Sequence, residues 1–168
     1  MFIFYLNTMV QISNKSIFQL IIVLSILVLL AAYFIEFILG HKPCNLCLIE
    51  RIPYFVSIVL CFFAILFKKF EKLVYLVLSL FFLFGAIVSF YHLGIEQGFF
   101  QESSVCNLSS DSLSLSREDL LKKMNKEIIS CKDVSFRIFG LSLATINTFL
   151  SLIISTILLN KFIKYGKN

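Results

Sequence analysis

The sequence predicts an all-α membrane protein: a four-transmembrane-helix bundle with a short amphipathic helix in its second external loop. Composition is the first observation behind this prediction, because 59% of the 168 residues are hydrophobic and 15% are charged. A soluble domain is roughly 45–50% apolar. The second observation is that four apolar runs are long enough to cross a bilayer, with the charged residues concentrated between them.

The apolar runs predict one integral membrane domain, residues 1–168, with four spans. The first run, 17–39, has 23 residues and reaches about 35 Å as a helix, enough to cross a hydrocarbon core of roughly 30 Å. It is too long for a signal-peptide core and lacks a small-x-small cleavage site, so we interpret it as a membrane span. The other spans are expected at 46–67, 73–91 and 139–159, with external loops at 40–45 and 92–138.

Two cysteines separated by two residues stand between the first two spans, in the motif Pro43-Cys44-Asn45-Leu46-Cys47. Proline favours the first helical turn, so a helix is predicted to begin here with the cysteines at its N-terminus. The positive end of the helix dipole favours a thiolate there. At about 100° per residue, Cys44, Cys47 and Arg51 share one helix face. A cysteine pair that can close a disulfide, with a fixed cation one turn away, is the layout of a redox site.

Basic residues are distributed unevenly between the two sides of the membrane. One side carries seven bases against one acid, Glu71. These bases are Lys15, Lys68, Lys69, Lys72, Lys161, Lys164 and Lys167. The loop 92–138, on the other side, has six bases and seven acids. Because cytoplasmic loops carry the excess of lysine and arginine, we expect both termini to be cytoplasmic and the cysteine loops to be external.

Four of the five cysteines lie in loops or at helix ends: Cys44, Cys47, Cys106 and Cys131. Their even number suggests two disulfides and an oxidising compartment. Between the last two, Ser116 followed by Asp119 resembles a helix N-cap, and apolar residues then recur on one side as far as Ile128. This pattern predicts the short amphipathic helix, which would lie on the membrane surface or pack on a partner loop.

Polar and small residues within the spans predict how the helices pack. The fourth span carries a stripe of such residues, which lets helices approach closely in lipid: Gly140, Ala144, Thr148, Ser151 and Ser155. Gly85 and Ser89 give the third span a shorter face of this kind. Asn147 is expected to form interhelical hydrogen bonds, and Glu36 to be an interfacial acid facing water rather than a proton relay. Cys61 is expected to be an inert apolar residue.

A disulfide at the membrane needs an electron acceptor, and the chain limits the candidates. Leu48 rather than histidine follows the CxxC motif, so the signature of c-type haem attachment is not met. The chain has no dinucleotide-binding fingerprint and no room for a soluble flavin domain. A membrane quinone is the remaining candidate, and Arg51 would stabilise negative charge on the reduced quinone or on the Cys47 thiolate.

Taken together, these features resemble the DsbB family of disulfide bond formation proteins over about residues 17–160. The resemblance rests on four spans, on four cysteines in order and on three motifs. The motifs are Pro43-Cys44-Asn45-Leu46-Cys47 with Arg51, Tyr91-His92-Leu93-Gly94-Ile95-Glu96, and Phe139-Gly140-Leu141-Ser142-Leu143-Ala144 leading to Asn147. The CxxC motif alone is a weak signal, whereas the combination is specific. Cys61 has no counterpart in the family pattern. The segment between Cys106 and Cys131 matches the family in length but not in its residues.

The resemblance implies a protein-dithiol:quinone oxidoreductase of the bacterial inner membrane, using ubiquinone or menaquinone. A reduced periplasmic DsbA-like protein with a thioredoxin fold would attack Cys106 and free Cys131. Cys131 would then exchange with Cys44 and release Cys47 as a thiolate beside the quinone. Arg51 would support the charge, and His92 would line the quinone site. His92 is a lone histidine at the membrane interface, so the alternative that it has no role in quinone binding stays open.

Two other classes of protein fit the same residues. One is a zinc-binding membrane module with ligands from His41, Cys44, Cys47 and His92, whereas the redox assignment includes no metal ligand. Metal analysis discriminates between them, since a closed disulfide cannot bind zinc. The other class is a structural tetraspan whose disulfides merely staple its loops. Quinone-dependent turnover separates that class from an enzyme.

Overall fold

In the part of the chain that this computed structural model describes, four helices are long and apolar enough to cross a membrane. The structure describes residues 14–101, 131, 137–138 and 140–165. The spanning segments are Asn14–Phe37, Asn45–Leu66, Lys68–Glu96 and Leu143–Lys164. The predicted four-span, all-α membrane fold is confirmed. The amphipathic helix expected near Ser116–Ile128 lies outside the described residues.

The described elements follow one another along the chain as five α-helices, one 3-10 turn and one small hairpin. They are α1 (Asn14–Phe37), α2 (Asn45–Ile49), α3 (Ile52–Leu66), the 3-10 turn Lys68–Phe70, α4 (Glu71–Glu96), β1 (Arg137–Ile138), β2 (Leu141–Ser142) and α5 (Leu143–Lys164). The strands are antiparallel, with Arg137 opposite Ser142 and Ile138 opposite Leu141.

The second spanning segment is broken between α2 and α3, although the sequence predicted one continuous helix. Pro53 stands in the first turn of α3. Proline has no N–H to donate to the carbonyl four residues earlier, and its ring crowds that carbonyl, so a helix readily restarts around it. The break places Arg51 at the N-cap of α3 rather than on the helix that carries Cys47. Glu50 and Arg51 nevertheless keep right-handed helical backbone angles, so Arg51 stays on the same side of the segment as Cys44 and Cys47.

Other helix ends also differ from the limits expected from hydropathy. Helix α4 continues to Glu96 rather than ending near Tyr91, which brings His92 into the helix. Helix α5 begins at Leu143 rather than at residue 139. Gly140 has a positive φ of 83°, a conformation that turns the chain between the two short strands and is unfavourable for residues with a Cβ. The Ser142 side chain then caps α5 by accepting a hydrogen bond from the Thr145 N–H.

The bundle packs α5 along α4, and α3 against both α1 and α4. Hydroxyl groups join the helices: Ser25 Oγ lies 2.7 Å from Ser57 Oγ, and Ser155 Oγ donates to the Ser79 carbonyl at 2.9 Å. Such hydrogen bonds and small residues drive helix association in lipid, where the hydrophobic effect does not. The apolar core includes the stacked pair Phe18 and Tyr75, whose ring centroids are 4.7 Å apart.

The predicted packing stripe of the fourth span is confirmed in four of its five members. Ala144, Thr148, Ser151 and Ser155 are all buried. Gly140 is exposed and precedes the helix, so its inclusion in the stripe was wrong. The predicted face on the third span is confirmed as well, since Gly85 and Ser89 are buried. Large apolar side chains on the outer faces, such as Leu30, Val59, Ile87 and Phe149, are exposed, as lipid-facing residues are.

Candidate thiol redox site

The two cysteines of the CxxC motif lie in contact at the start of α2. Cys44 is the N-cap of this helix, and its sulfur accepts a hydrogen bond from the Cys47 N–H at 3.3 Å. The two Sγ atoms are 2.8 Å apart, and both side chains are thiols. The predicted helix start and the predicted N-terminal position of the pair are confirmed. The two sulfurs are thus close enough for a disulfide to form between them without a large movement of the backbone.

A third cysteine, far away in sequence, reaches the same place. Cys131 is 1% exposed and packs in a small apolar cluster with Cys44, Leu46 and Ile95. Hydrogen bonds from Cys131 and then from Cys47 hold the pKa of Cys44 well below the ordinary thiol range, although burial acts in the opposite direction. Cys44 is therefore the sulfur that carries the negative charge most readily and that faces Cys131.

His92 on α4 approaches Cys44 from the other side. Its Nε2 lies 3.6 Å from Cys44 Sγ, and its Nδ1 lies 2.7 Å from Glu50 Oε1. A carboxylate only accepts, so the His92 Nδ1 carries a proton and donates it to Glu50. Both side chains are buried, with 5% and 9% of their surface exposed. This buried pair fixes the imidazole ring and adds to the stabilisation of the Cys44 thiolate.

The carboxylate of Glu50 is held in turn by Asn147 on α5. Asn147 Nδ2 donates to Glu50 Oε2 at 2.9 Å and to Ser89 Oγ at 2.6 Å. The Tyr54 hydroxyl donates a hydrogen bond to Oδ1, the side-chain amide oxygen of Asn147. The predicted interhelical role of Asn147 is confirmed, and a hydrogen-bond chain runs from Asn147 through Glu50 and His92 to Cys44.

Arg51 takes a different set of partners. Its Nη1 donates to Glu36 Oε2 on α1 at 2.6 Å, and its guanidinium lies 5.0 Å from the centre of the Tyr33 ring. The Glu36 side chain is 22% exposed, so the expectation of a water-facing acid was incomplete: Glu36 is an ion-pair partner that ties α1 to α3. The ring contact adds a cation–π attraction of about 0.5–1 kcal/mol or more.

A cavity of about 260 Å³ opens between α1, α5 and the cysteine pair. The walls are mainly apolar side chains of α1 and α5, including Val28, Ala32, Ile35, Leu143 and Leu150. Ten residues add sulfur or polar atoms: His41, Lys42, Cys44, Cys47, Glu50, Arg51, Tyr54, His92, Glu96 and Asn147. An apolar cavity with a few convergent polar groups is the usual form of a small-molecule site.

The structure brings most of the residues singled out from sequence to this site. Cys44, Cys47, Arg51 and His92 all line the cavity, and Cys131 contacts Cys44 behind it. Cys106 lies outside the described residues, so its position stays a prediction. Cys61 is fully buried in the apolar core, as expected of an inert residue.

Sequence reasoning missed two acids of the site. Glu50, adjacent to Arg51, had a usable signal, because an acid within an apolar segment beside a CxxC motif needs a partner. Glu96, one turn after His92, places Oε1 3.8 Å from His92 Nε2. Of the four zinc ligands considered from sequence, the structure groups Cys44, Cys47 and His92, whereas His41 lines the cavity without joining the group.

The fold and the site define a class: a four-span membrane protein with a buried cysteine pair beside an apolar cavity. The family model described as "Disulfide bond formation protein DsbB" matches residues 14–160, and the chain belongs to the DsbB family. It is therefore a membrane oxidoreductase of disulfide bond formation. The chain is also 30% identical over 137 residues to the "Uncharacterized protein RP370" of Rickettsia prowazekii (strain Madrid E), covering 79% of this chain and 78% of the relative. No solved structure gives a significant match.

Proposed function

We propose that this protein reoxidises the dithiol of a periplasmic DsbA-like partner with a thioredoxin fold and passes the electrons to ubiquinone or menaquinone. The observation that carries the proposal is the sequence of contacts from Cys131 to Cys44 to Cys47 at the wall of the apolar cavity. It supports a path along which a disulfide is exchanged inward from a soluble partner to a lipid-soluble acceptor.

The cavity fits the head group of a quinone. A dry apolar cavity of about 150 Å³ holds benzene, so about 260 Å³ accommodates a substituted ring. Residues of α1 and α5 would contact the ring faces, while Arg51 and His92 supply polar groups at the sulfur end. When bound, the quinone would accept two electrons and two protons. The Arg51 cation, oriented by Glu36, favours negative charge that develops in this part of the cavity.

The chemistry of the chain itself is thiol–disulfide exchange. A partner thiolate attacks Cys106 of a Cys106–Cys131 disulfide, forms a mixed disulfide and releases Cys131 as a thiolate. Cys131 then attacks Cys44 of the Cys44–Cys47 disulfide, and Cys47 leaves as a thiolate at the cavity wall. The second partner thiol next resolves the mixed disulfide and frees Cys106.

Cys106 finally attacks Cys131, restores the outer disulfide and expels Cys44. A thiol of low pKa leaves fastest, and Cys44 is the cysteine whose pKa the surrounding hydrogen bonds depress. The net result is one disulfide in the partner and a reduced Cys44–Cys47 pair. Reoxidation of that pair releases the two electrons and two protons to the acceptor, which completes the balance.

The compartment follows from the same chemistry. The bacterial periplasm is kept oxidising by the DsbA–DsbB–quinone route rather than by a redox buffer. The protein would therefore be a multi-pass protein of the inner membrane, with both termini cytoplasmic and both cysteine loops periplasmic. The excess of lysine and arginine on the opposite side supports this orientation.

Purified protein supplied with a reduced thioredoxin-fold dithiol and a soluble quinone tests the proposal. We expect one quinol for each partner disulfide, measured by quinone absorbance and by thiol counting. Cys47→Ala should abolish turnover, whereas Cys61→Ser, a change remote from the cavity, should leave it unchanged. A partner that stays reduced, or turnover that survives in Cys47→Ala, would contradict the proposed function.

A further inference from the structure

Three atoms at the reduced site are typical ligands of a thiophilic metal ion. Cys44 Sγ, Cys47 Sγ and His92 Nε2 all lie within 4.8 Å of one another, and all three residues are at least partly buried. Thiolate and imidazole are the donors that Zn²⁺ prefers. Electron transfer by the cysteine pair does not by itself require that an imidazole nitrogen converge on both sulfurs.

The hydrogen bonds of His92 orient it as they orient a metal-binding histidine. Nδ1 donates to Glu50 Oε1 at 2.7 Å, so Nε2 faces the cysteines. Metal-bound histidines almost always donate their other ring N–H to a carboxylate or carbonyl, which fixes the tautomer and raises the basicity of the ligand nitrogen. Asn147 secures the second oxygen of Glu50, so the outer contacts of such a site are already in place.

The carboxylate of Glu96 lies beside this group and offers an oxygen as a fourth ligand. Glu96 Oε1 is 3.8 Å from His92 Nε2, and the Glu96 side chain is 6% exposed. Its other oxygen, Oε2, is buried and has no hydrogen-bond partner among the residues that the structure describes. A buried carboxylate oxygen without a partner is costly, and coordination to a cation would satisfy it.

The distances suit tetrahedral coordination. Bonds of about 2.3 Å to sulfur and 2.1 Å to nitrogen place these atoms about 3.6 Å apart. Cys44 Sγ and His92 Nε2 are separated by 3.6 Å. The two sulfurs, now 2.8 Å apart, would have to separate to about 3.8 Å, which small side-chain rotations achieve. Both cysteines and His92 line the cavity, so an ion can reach them from it.

We propose that the reduced protein binds one Zn²⁺ through Cys44, Cys47 and His92, with Glu96 as the fourth ligand. Both sulfurs bind Zn²⁺ as thiolates, and any proton that they still carry is released, so binding involves no redox change. A zinc-bound pair cannot form its disulfide until the ion leaves, and the disulfide cannot bind zinc. The site is therefore gated by the redox state of the pair, and Zn²⁺ acts as a reversible inhibitor of disulfide formation. This inference does not depend on the identity of the electron acceptor or the thiol partner.

Metal binding to the purified full-length protein tests the inference directly. Reduced and oxidised samples are freed of small thiols without oxygen and titrated with Co²⁺, then with Zn²⁺. We expect the reduced protein to show sulfur-to-cobalt charge-transfer absorption and to bind one ion, which Zn²⁺ displaces. The oxidised protein should bind none. Equal binding by both samples, or no binding by the reduced one, would overturn the inference, and this comparison needs no variant.

Variants then assign the ligands. Cys47→Ser and His92→Ala should each weaken binding at least tenfold, and Glu50→Gln should weaken it roughly 10- to 100-fold by releasing the imidazole. Cys61→Ser and His41→Ala are the matched controls, since neither residue belongs to the ligand group, and both should bind as the unmodified protein does. Loss of the charge-transfer band in Cys61→Ser, or an unchanged affinity in both Cys47→Ser and His92→Ala, would show that the ion binds elsewhere.

Discussion

The carboxylate of Glu36 lies 2.6 Å from the guanidinium of Arg51, which joins the C-terminal end of α1 to the start of α3. Arg51 is 12% exposed at its side chain and also contacts the Tyr33 ring. The residue that the sequence assigned to the quinone is thus oriented by two residues of another helix. α1 therefore takes part in the redox site as well as in anchoring.

Removal of this cation should slow electron transfer without affecting the outer cysteines. We expect Arg51→Ala to reduce the rate of quinone reduction on the order of 10²-fold, as loss of one oriented electrostatic group typically does. The Cys106–Cys131 disulfide should still form. Arg51→Lys should rescue in part, because lysine keeps the charge but loses the planar fork. Stopped-flow quinone absorbance measures the effect, and unchanged kinetics in Arg51→Ala would remove Arg51 from the site.

A change at Glu36 tests whether the orientation of the Arg51 side chain matters for quinone binding, because it leaves the Arg51 charge in place. Glu36→Gln keeps a hydrogen-bond acceptor for Arg51 but removes the ion pair, so we expect a rise in KM for quinone larger than the fall in kcat. Phe149→Leu changes an exposed position on α5 and is the control variant, which should leave KM and kcat unchanged. A KM equal to that of the unmodified protein would show that the ion pair only stabilises the fold.

The two cysteine pairs should be separable by trapping. Cys131→Ala leaves Cys106 without its resolving neighbour, so a mixed disulfide with a periplasmic thioredoxin-fold protein should accumulate. Cys47→Ala should instead block electron delivery to quinone. The expected readout is a reducible high-mass band on non-reducing gels of the Cys131→Ala strain. The band should vanish when Cys106 is also removed; a band that depends on Cys44 instead would reverse the order of the pairs.

The reactivity of Cys44 should depend little on pH. Hydrogen bonds from Cys131 and Cys47 lower its pKa, so the thiolate persists as pH falls. An ordinary thiol, with a pKa near 8.5, loses about tenfold in alkylation rate for each pH unit below that value. We expect the alkylation rate of reduced Cys44, followed by mass spectrometry, to stay nearly flat from pH 8.5 to pH 6. Cys131→Ala removes the largest cause of the shift and should restore a sloping profile; two identical sloping profiles would refute the assignment.

Close packing at Gly85 should make α4 intolerant of larger side chains. A Cβ added there would lie 2.9 Å from Pro53 Cγ, in a rigid ring next to the helix break. We expect Gly85→Val to destabilise the bundle by about 1–3 kcal/mol, the usual cost of overpacking, and to lower the Tm in detergent. Ile87→Val, at a position 61% exposed on the same helix, is the control. Equal Tm values for the two variants would show that α3 and α4 can move apart at Gly85 without loss of stability.

The orientation of the chain can be tested by accessibility. After reduction, a membrane-impermeant thiol reagent applied to intact cells should label the external loop cysteines. A cysteine introduced at Lys69, on the basic turn, should stay unlabelled until the cells are opened. Labelling of that cysteine in intact cells would invert the proposed topology.

The sequence by itself determined the features that depend on local chemistry. Long apolar runs specify the spans, because a helix in lipid must satisfy its own backbone and expose apolar side chains. Small residues such as Gly85 and Ser151 specified the packing faces, and the proline before Cys44 marked the helix start. The polarity of Asn147 in an apolar span predicted its interhelical hydrogen bonds, since no water is available to it there.

Only the tertiary structure decided which distant side chains meet. His92 lies 48 residues from Cys44 in sequence, and their contact depends on how α4 is rotated in the bundle. The ion pair between Arg51 and Glu36 likewise joins two helices, and hydropathy does not reveal it. The same holds for Cys131, which reaches Cys44 from a distant part of the chain. Helix periodicity fixes directions within one helix, whereas the relative rotation and break points of several helices follow from their packing against one another.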